Sequence, residues 1–287
     1  MLNIVLFAFL IFTSGIFHFN QKKMEAKAEL KIMTFNIRYA TPNDGINKWA
    51  HRKENVAALI SYYHPHIFGI QEALLSQIQY LGKTLPQYNW VGSGRDDGKL
   101  TGEFSPVFYD TTRFRLMDSG TFWLSEHPET PGKSWDAALP RICTWVKLKD
   151  KVSESELFFY NTHYDHRGES ARINSSSLIV NRINETGDEY PVILVGDFNF
   201  TPDSEGYSII TSVLQDTHIH SEKDHYGPEG TFSGFSLNDS IERRIDYIFI
   251  NNTFICTRHR TITDHYGGFY ASDHLPVIAD IYIREKK

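Results

Sequence analysis

Six short segments place carboxylates, amides or histidines directly against apolar runs. They are Phe35-Asn36, Gly69-Ile70-Gln71-Glu72, Asn161-Thr162-His163-Tyr164-Asp165-His166, Gly196-Asp197-Phe198-Asn199, Arg244-Ile245-Asp246-Tyr247 and Ser272-Asp273-His274-Leu275-Pro276. One aspartate after a strand more often opens a turn than holds a metal. Six such groupings together are harder to dismiss, because each would need internal partners if it faced a core. Glu72, Asp197 and Asp273 offer hard oxygen ligands suited to Mg²⁺, Mn²⁺ or Ca²⁺. Asn36 and Asn199 add neutral oxygens and N–H donors that can orient a phosphate or a water. His163 and His274 suit contact with a non-bridging phosphate oxygen or proton transfer. A carboxylate behind an imidazole fixes its tautomer, and Asp246 is the candidate for that partner. No cysteine sits in these segments, which disfavours a soft-metal site.

Groups of this kind need strand ends to hold them. Apolar alternation predicts strands at 30–37, 66–70, 88–91, 105–109, 114–123, 142–148, 157–163, 244–249 and 277–283. Residues 192–195 are apolar without interruption and fit a central strand buried on both faces. Helical spacing covers 49–60, 73–81 and 169–183, and aromatic loops separate the last strands. The alternation of strands and helices points to a layered α/β architecture, two packed sheets with outer helices.

The 287 residues are 41% hydrophobic and 22% charged, a composition with no case for disorder or a fibre. Two cysteines exclude a disulfide framework. The formal charge is −6, and three lysines against one glutamate before residue 29 leave −8 for the rest. No basic stripe is visible, which argues against tight binding to long nucleic acid. An apolar run at 4–12 gives way to Asn20-Gln21-Lys22-Lys23 and then to Ala26-Lys27-Ala28. This reads as a signal peptide over 1–28 and export to the periplasm or beyond, with an uncleaved N-terminal anchor as the alternative. Residues 29–287 are then a single domain.

Taken in order, the six segments resemble the motif series of the endonuclease/exonuclease/phosphatase superfamily, from Met33 to about Ile283. The resemblance implies a four-layer α/β sandwich of two mixed sheets, with the site in the cleft between them. It implies that Glu72 binds a catalytic metal, Mg²⁺ or else Mn²⁺ or Ca²⁺, assisted by Asn36 and Asp273. Asp197 matches the position that orients or deprotonates the attacking water, and Asn199 the one that positions the phosphate. His274 pairs with Asp246 at the scissile phosphate, and either Asp197 or His274 is the base. His163 matches a phosphate-contacting position of the deoxyribonuclease-like and sphingomyelinase-like branches. The implied chemistry is in-line attack of water on phosphorus without a covalent enzyme intermediate.

Arg141 matches a family arginine that approaches the phosphate, and a guanidinium suits oxyanions there. Tyr109 could hydrogen-bond from the cleft wall or be a half-buried strand tyrosine. Arg167 could touch phosphate or neutralise Glu169. The first expectation for function is a phosphodiesterase or nuclease acting on a phosphoester, such as a short nucleic acid or nucleotide. The second is a phosphomonoesterase on a small phosphorylated metabolite or lipid headgroup. The third is a non-catalytic exported binding protein on the same fold. The expected enzyme is a monomer with no obligate protein partner.

Overall fold

The computed structural model describes residues 29–284 apart from 188, so the expected leader lies outside the described residues. The elements in chain order are β1 (Leu30–Asn36), α1 (Trp49–Tyr63), β2 (Ile67–Gln71), α2 (Leu75–Thr84), β3 (Tyr88–Val91), β4 (Val107–Asp110), β5 (Phe114–Trp123), β6 (Ile142–Asp150) and β7 (Glu156–His163). There follow α3 (Glu169–Asn184), β8 (Val192–Asp197), α4 (Glu205–Thr211), β9 (Gln215–Asp216), β10 (Asp246–Ile250), β11 (Phe254–Thr261), β12 (His265–Tyr266), β13 (Phe269–Tyr270) and β14 (Val277–Ile283). One six-stranded sheet runs β11-β14-β1-β2-β4-β3 and the other β5-β6-β7-β8-β10-β9. Both mix parallel and antiparallel pairs.

Three cores account for the layers. Leu30, Ile32, Ile67, Phe159, Ile193, Val195, Ile248 and Val277 pack between the two sheets. Met33, Phe35, Phe68 and Ile70 turn the other way, toward Val56, Leu59, Ile60, Ile78 and Leu81 of α1 and α2. Tyr160, Leu194 and Phe249 face Ile179, Ile183 and Ile210 of α3 and α4. The result is the expected four-layer α/β sandwich. Strands β1, β2 and β8 are buried on both faces, so their apolar residues run on instead of alternating.

Side-chain direction in a strand has a period of two, and that places the site. On β1, Asn36 shares the face of Leu30 and Ile32; on β8, Asp197 shares the face of Ile193 and Val195. By the same alternation His163 follows Leu157 and Phe159 on β7, and Asp246 lies with Ile248 and Ile250 on β10. Polar groups therefore extend the inter-sheet layer where each strand stops or starts. A second polar contact joins the sheets deeper down. Asn161 Nδ2 donates to the carbonyls of Ile70 (2.9 Å) and Pro106 (2.8 Å), and Gln71 Nε2 donates to Asn161 Oδ1 at 2.6 Å. Gly69 makes this approach possible, since a Cβ there would stand 2.4 Å from Asn161 Cγ.

Strands β9, β12 and β13 have two residues each, too few to alternate, and two longer elements also lack a sequence signal. Strand β11 shows no clean alternation, because Thr257, Arg258 and Arg260 interrupt its apolar residues and its register shifts between Cys256 and Arg258. Helix α4 has only seven residues, too few to show a period, and depends on Ser204 Oγ accepting Tyr207 N–H at 3.1 Å.

Candidate active site

Strand register assembles the residues. Parallel pairing of β7 with β8 sets His163 beside Asp197, and antiparallel pairing of β8 with β10 sets Asp246 on its other side. In the facing sheet Asn36 pairs with Gln71, so Glu72 leaves β2 next to it. Arg38, Glu72 and Asn199, just beyond the ends of β1, β2 and β8, take left-handed φ values of 55°, 59° and 50°. That conformation costs about 1–2 kcal/mol for a residue with a Cβ, least for asparagine. Three such residues around one cavity put backbone strain where the site is.

Hydrogen bonds then aim the carboxylates. Asn36 Nδ2 donates to Glu72 Oε1 (3.1 Å) and Asp197 Oδ2 (2.9 Å), while its Oδ1 accepts Arg38 N–H at 3.0 Å. In this arrangement Asn36 orients the two acids, while its oxygen accepts a backbone N–H. Tyr39 N–H donates to Glu72 Oε2 at 3.2 Å. The Ser272 hydroxyl donates to the Asn36 carbonyl at 2.7 Å and so ties the terminal motif to β1. Asn199 donates its backbone N–H to Asp197 Oδ1 (3.0 Å) and its Nδ2 to the Tyr164 carbonyl (3.1 Å).

Two histidines flank Asp197 in opposite charge states. His163 Nε2 is 3.4 Å from Asp197 Oδ2, and His274 Nε2 is 3.7 Å from the same oxygen. Burial, then the positive charges of Arg141 and Arg95, hold His163 well below the usual imidazole value. Burial would lower His274 too, but Asp246 and then Asp197 outweigh it and lift it to about 10. Burial first and Asp246 second push the Asp197 carboxyl upward. Two imidazoles within 4 Å of one carboxylate oxygen are thus neutral on one side and charged on the other.

A cavity of about 700 Å³ opens on this centre. Glu72, Arg141, His163, Asp197, Asn199, Asp273 and His274 all line it, and Asp246 lies behind His274. Tyr109 does not belong to it. Antiparallel β4 runs away from the cleft and sets Tyr109 opposite Ile67, four residues before Gln71, inside the inter-sheet core. Arg167 is likewise absent from the lining; its backbone N–H caps Asp165 Oδ1 at 2.9 Å and its side chain is exposed.

The cavity also holds residues to which the sequence assigned no role. Arg38 forks onto Asp44 (2.9 and 3.1 Å) and lies 3.8 Å from Glu72 and 3.9 Å from Asp273. Arg95 forks onto Glu103 (2.8 and 3.0 Å), and Glu103 stands 3.9 Å from His163 Nδ1. Arg243 stacks over Phe232, whose ring meets His274 edge-on at 5.1 Å. Arg38 follows Phe35-Asn36 and Arg243 directly precedes Arg244-Ile245-Asp246-Tyr247, so position beside a motif could have pointed to both; Arg95 comes from a long loop with no periodic signal.

The donor set fits a divalent cation. Ligand atoms of Glu72, Asp197 and His274 lie within 4.8 Å of one another, and Asp273 stands close enough for Glu72 to help raise its carboxyl, after the larger effect of burial. Carboxylate oxygens dominate, which suits a hard ion. His274 Nδ1 is committed to Asp246, so only its Nε2 faces that set, and carboxylate oxygens make up the rest.

Solved structures of similar proteins share this arrangement of sheets. A protein of the endonuclease/exonuclease/phosphatase family from Bacteroides thetaiotaomicron is 37% identical, with a TM-score of 0.87 over 90% of this chain and 99% of that one. A mannosyl-6-phosphatase from Bacteroides thetaiotaomicron VPI-5482 is also 37% identical, with a TM-score of 0.85 over 88% of this chain and 100% of that one. An uncharacterized protein of Acanthamoeba polyphaga mimivirus is 23% identical over 87% of this chain and 41% of its own length. The chain spans about two fifths of the length of the curated relatives it matches. The sequence pattern of the Endonuclease/Exonuclease/phosphatase family matches residues 33–274, from β1 through the terminal Ser-Asp-His. With motif order, two-sheet topology and a carboxylate-rich centre in agreement, the chain belongs to the endonuclease/exonuclease/phosphatase family, whose fold carries metal-dependent phosphoester hydrolysis.

Proposed function

We propose that this chain is a divalent-metal-dependent phosphatase acting on phosphomonoesters of small polyhydroxylated molecules such as sugars. The observation that carries the monoester reading is Arg141. Its guanidinium is 5% exposed, lines the cavity, and has two nitrogens, Nε and Nη1, with no hydrogen-bond acceptor among the described residues. Buried donors left unmatched cost about 1–3 kcal/mol each. A phosphoryl dianion with three terminal oxygens satisfies them better than the single charge of a diester. Likeness to a mannosyl-6-phosphatase across nearly the whole chain supports the polyol. Tyr39 and Phe232 are the phenyl and phenol rings among the described residues of the lining, a sparse platform for stacking bases.

In this reading Glu72 and Asp273, with Asp197 beside them, would hold Mg²⁺, and Asn36 aims the acids. Bound there, the ion would neutralise charge and polarise a phosphoryl oxygen. Asp197 accepts the proton of the attacking water; what supports this is that His274 already carries a proton and cannot take another. His274 places its positive charge at the equatorial oxygens or the departing alkoxide, and Asp246 keeps it there. Neutral His163, Asn199 and Arg141 position the phosphoryl group. The leader at 1–28 is part of the same proposal, as an export signal, and mass spectrometry of the mature chain tests it.

The test is turnover of p-nitrophenyl phosphate beside bis-p-nitrophenyl phosphate, with Mg²⁺ and with EDTA, using Asp197→Ala as blank. Mg²⁺-dependent preference for the monoester supports the phosphatase. Preference for the diester returns the assignment to a phosphodiesterase or nuclease. No turnover with either ester, and none with mannose 6-phosphate, would leave a binding protein on an inherited fold.

A further inference from the structure

Arg141 is held by a loop contact that also fixes a neighbouring imidazole. The Asp165 carboxylate accepts four backbone N–H groups, those of Ala138 (3.0 Å), Leu139 (3.2 Å), Arg167 (2.9 Å) and Gly168 (2.8 Å). It thereby staples the loop before β6 to the loop after β7, and Arg141 Nε lies 3.6 Å from Asp165 Oδ2. From the same guanidinium, Nη2 points at His166 Nδ1 at 3.0 Å. A guanidinium has only donors. His166 Nδ1 must therefore accept, and the proton of the neutral ring belongs on Nε2. His166 is exposed and lines the cavity, so this N–H is free to meet a ligand. Burial and the charge of Arg141 depress its basicity, which keeps the ring neutral and the tautomer fixed at neutral pH.

We propose that His166 is a specificity-determining residue: with Arg141 it receives the third terminal oxygen of a phosphomonoester and so sets the preference for monoesters over diesters. This rests on the phosphatase reading above. The cavity wall then presents one exposed donor, His166 Nε2–H, and behind it lie two donors of buried Arg141, Nε–H and Nη1–H, unpartnered among the described residues. A monoester carries a charged oxygen where a diester carries the second ester oxygen. An ester oxygen is a poor acceptor, and its alkyl group needs room that the ring of His166 fills. A diester would thus leave buried Arg141 donors unmatched, and selectivity follows from unpaired polar groups in the wrong complex.

The experiment compares kcat/KM for p-nitrophenyl phosphate and bis-p-nitrophenyl phosphate in the wild-type chain, His166→Ala and His166→Gln, all with Mg²⁺. Inhibition by inorganic phosphate is measured beside it. In His166→Ala the monoester-to-diester ratio should fall about 10- to 100-fold, the worth of one hydrogen bond to a charged group. The inhibition constant for phosphate should rise with it. His166→Gln keeps an acceptor toward Arg141 and a donor toward the cavity, so part of the ratio should return. An unchanged ratio in His166→Ala, whether or not both activities fall, would mean that no terminal oxygen meets the ring. That result, in a chain that prefers the monoester, overturns the role of His166 while the phosphatase stands. A wild-type chain that prefers the diester removes the phosphatase, and this inference with it.

Discussion

His274 donates its Nδ1–H to Asp246 Oδ2 at 2.8 Å, and the same oxygen accepts the Thr231 hydroxyl at 2.6 Å. Thr231 Oγ1 in turn accepts the backbone N–H groups of Ile245 and Asp246, each at 3.1 Å, so its own hydrogen is committed to the carboxylate. The other oxygen, Asp246 Oδ1, is buried and has no partner among the described residues. The imidazolium is therefore the main counter-charge of Asp246, and each depends on the other.

The substitution Asp246→Asn keeps the shape and removes that charge. The amide oxygen can still accept a hydrogen bond, but His274 loses the chief cause of its raised basicity. We expect kcat to fall by about 10²–10⁴-fold, the range for losing a positioned proton-transfer group, with KM for the phosphoester little changed. Steady-state kinetics on the folded variant check this, and a kcat within about twofold of wild type would remove the pair from the mechanism.

The same pair makes stability depend on pH. His274 sits at about 10 in the folded chain against 6.5 for a free imidazole. Its proton therefore favours the folded state, fully below pH 6.5 and progressively less as the pH rises through 10. In EDTA, the melting temperature should decline between those limits. His274→Gln should show a flatter curve over the same window. Parallel curves would mean that the imidazole is not held charged.

Glu72 should govern metal affinity. Glu72→Gln retains a hydrogen-bond acceptor for Asn36 or Tyr39 but removes one negative charge from the cavity. The Mg²⁺ concentration for half-maximal activity should rise about 10- to 100-fold. Isothermal titration with Mg²⁺ gives an answer that does not depend on turnover, and an unchanged dissociation constant would take Glu72 out of the ligand set.

Gly69→Ala tests the joint between the sheets. The new Cβ would face Asn161 Oδ1 at 2.4 Å and Val195 Cγ2 at 2.8 Å, both atoms of packed side chains. Relief requires moving Asn161 off Gln71 and the Ile70 and Pro106 carbonyls. We expect a loss of about 1–3 kcal/mol in urea unfolding. A loss below a few tenths would show that the sheets can part locally without cost.

Much of this was legible in the residues. Period-two alternation put Asn36 on the face of Ile32 and Asp197 on the face of Val195, so polar groups had to extend an apolar layer at strand ends. Motif order then pointed to the family, and carboxylate and amide chemistry to a hard cation. Three-dimensional packing decided what spacing cannot encode. Asn36 and Asp197 are 161 residues apart, yet share a 2.9 Å hydrogen bond because two sheets stack face to face. By its strand pattern Tyr109 could have walled the cleft, but antiparallel β4 carries it inward beside Ile67. Arg95, Glu103 and Arg243 reach the cavity from loops, where neither period nor propensity constrains position. Charge state came last of all. His163 and His274 have the same ionisable side chain, and only the neighbours supplied by folding, arginines for one and aspartates for the other, make one neutral and one positive.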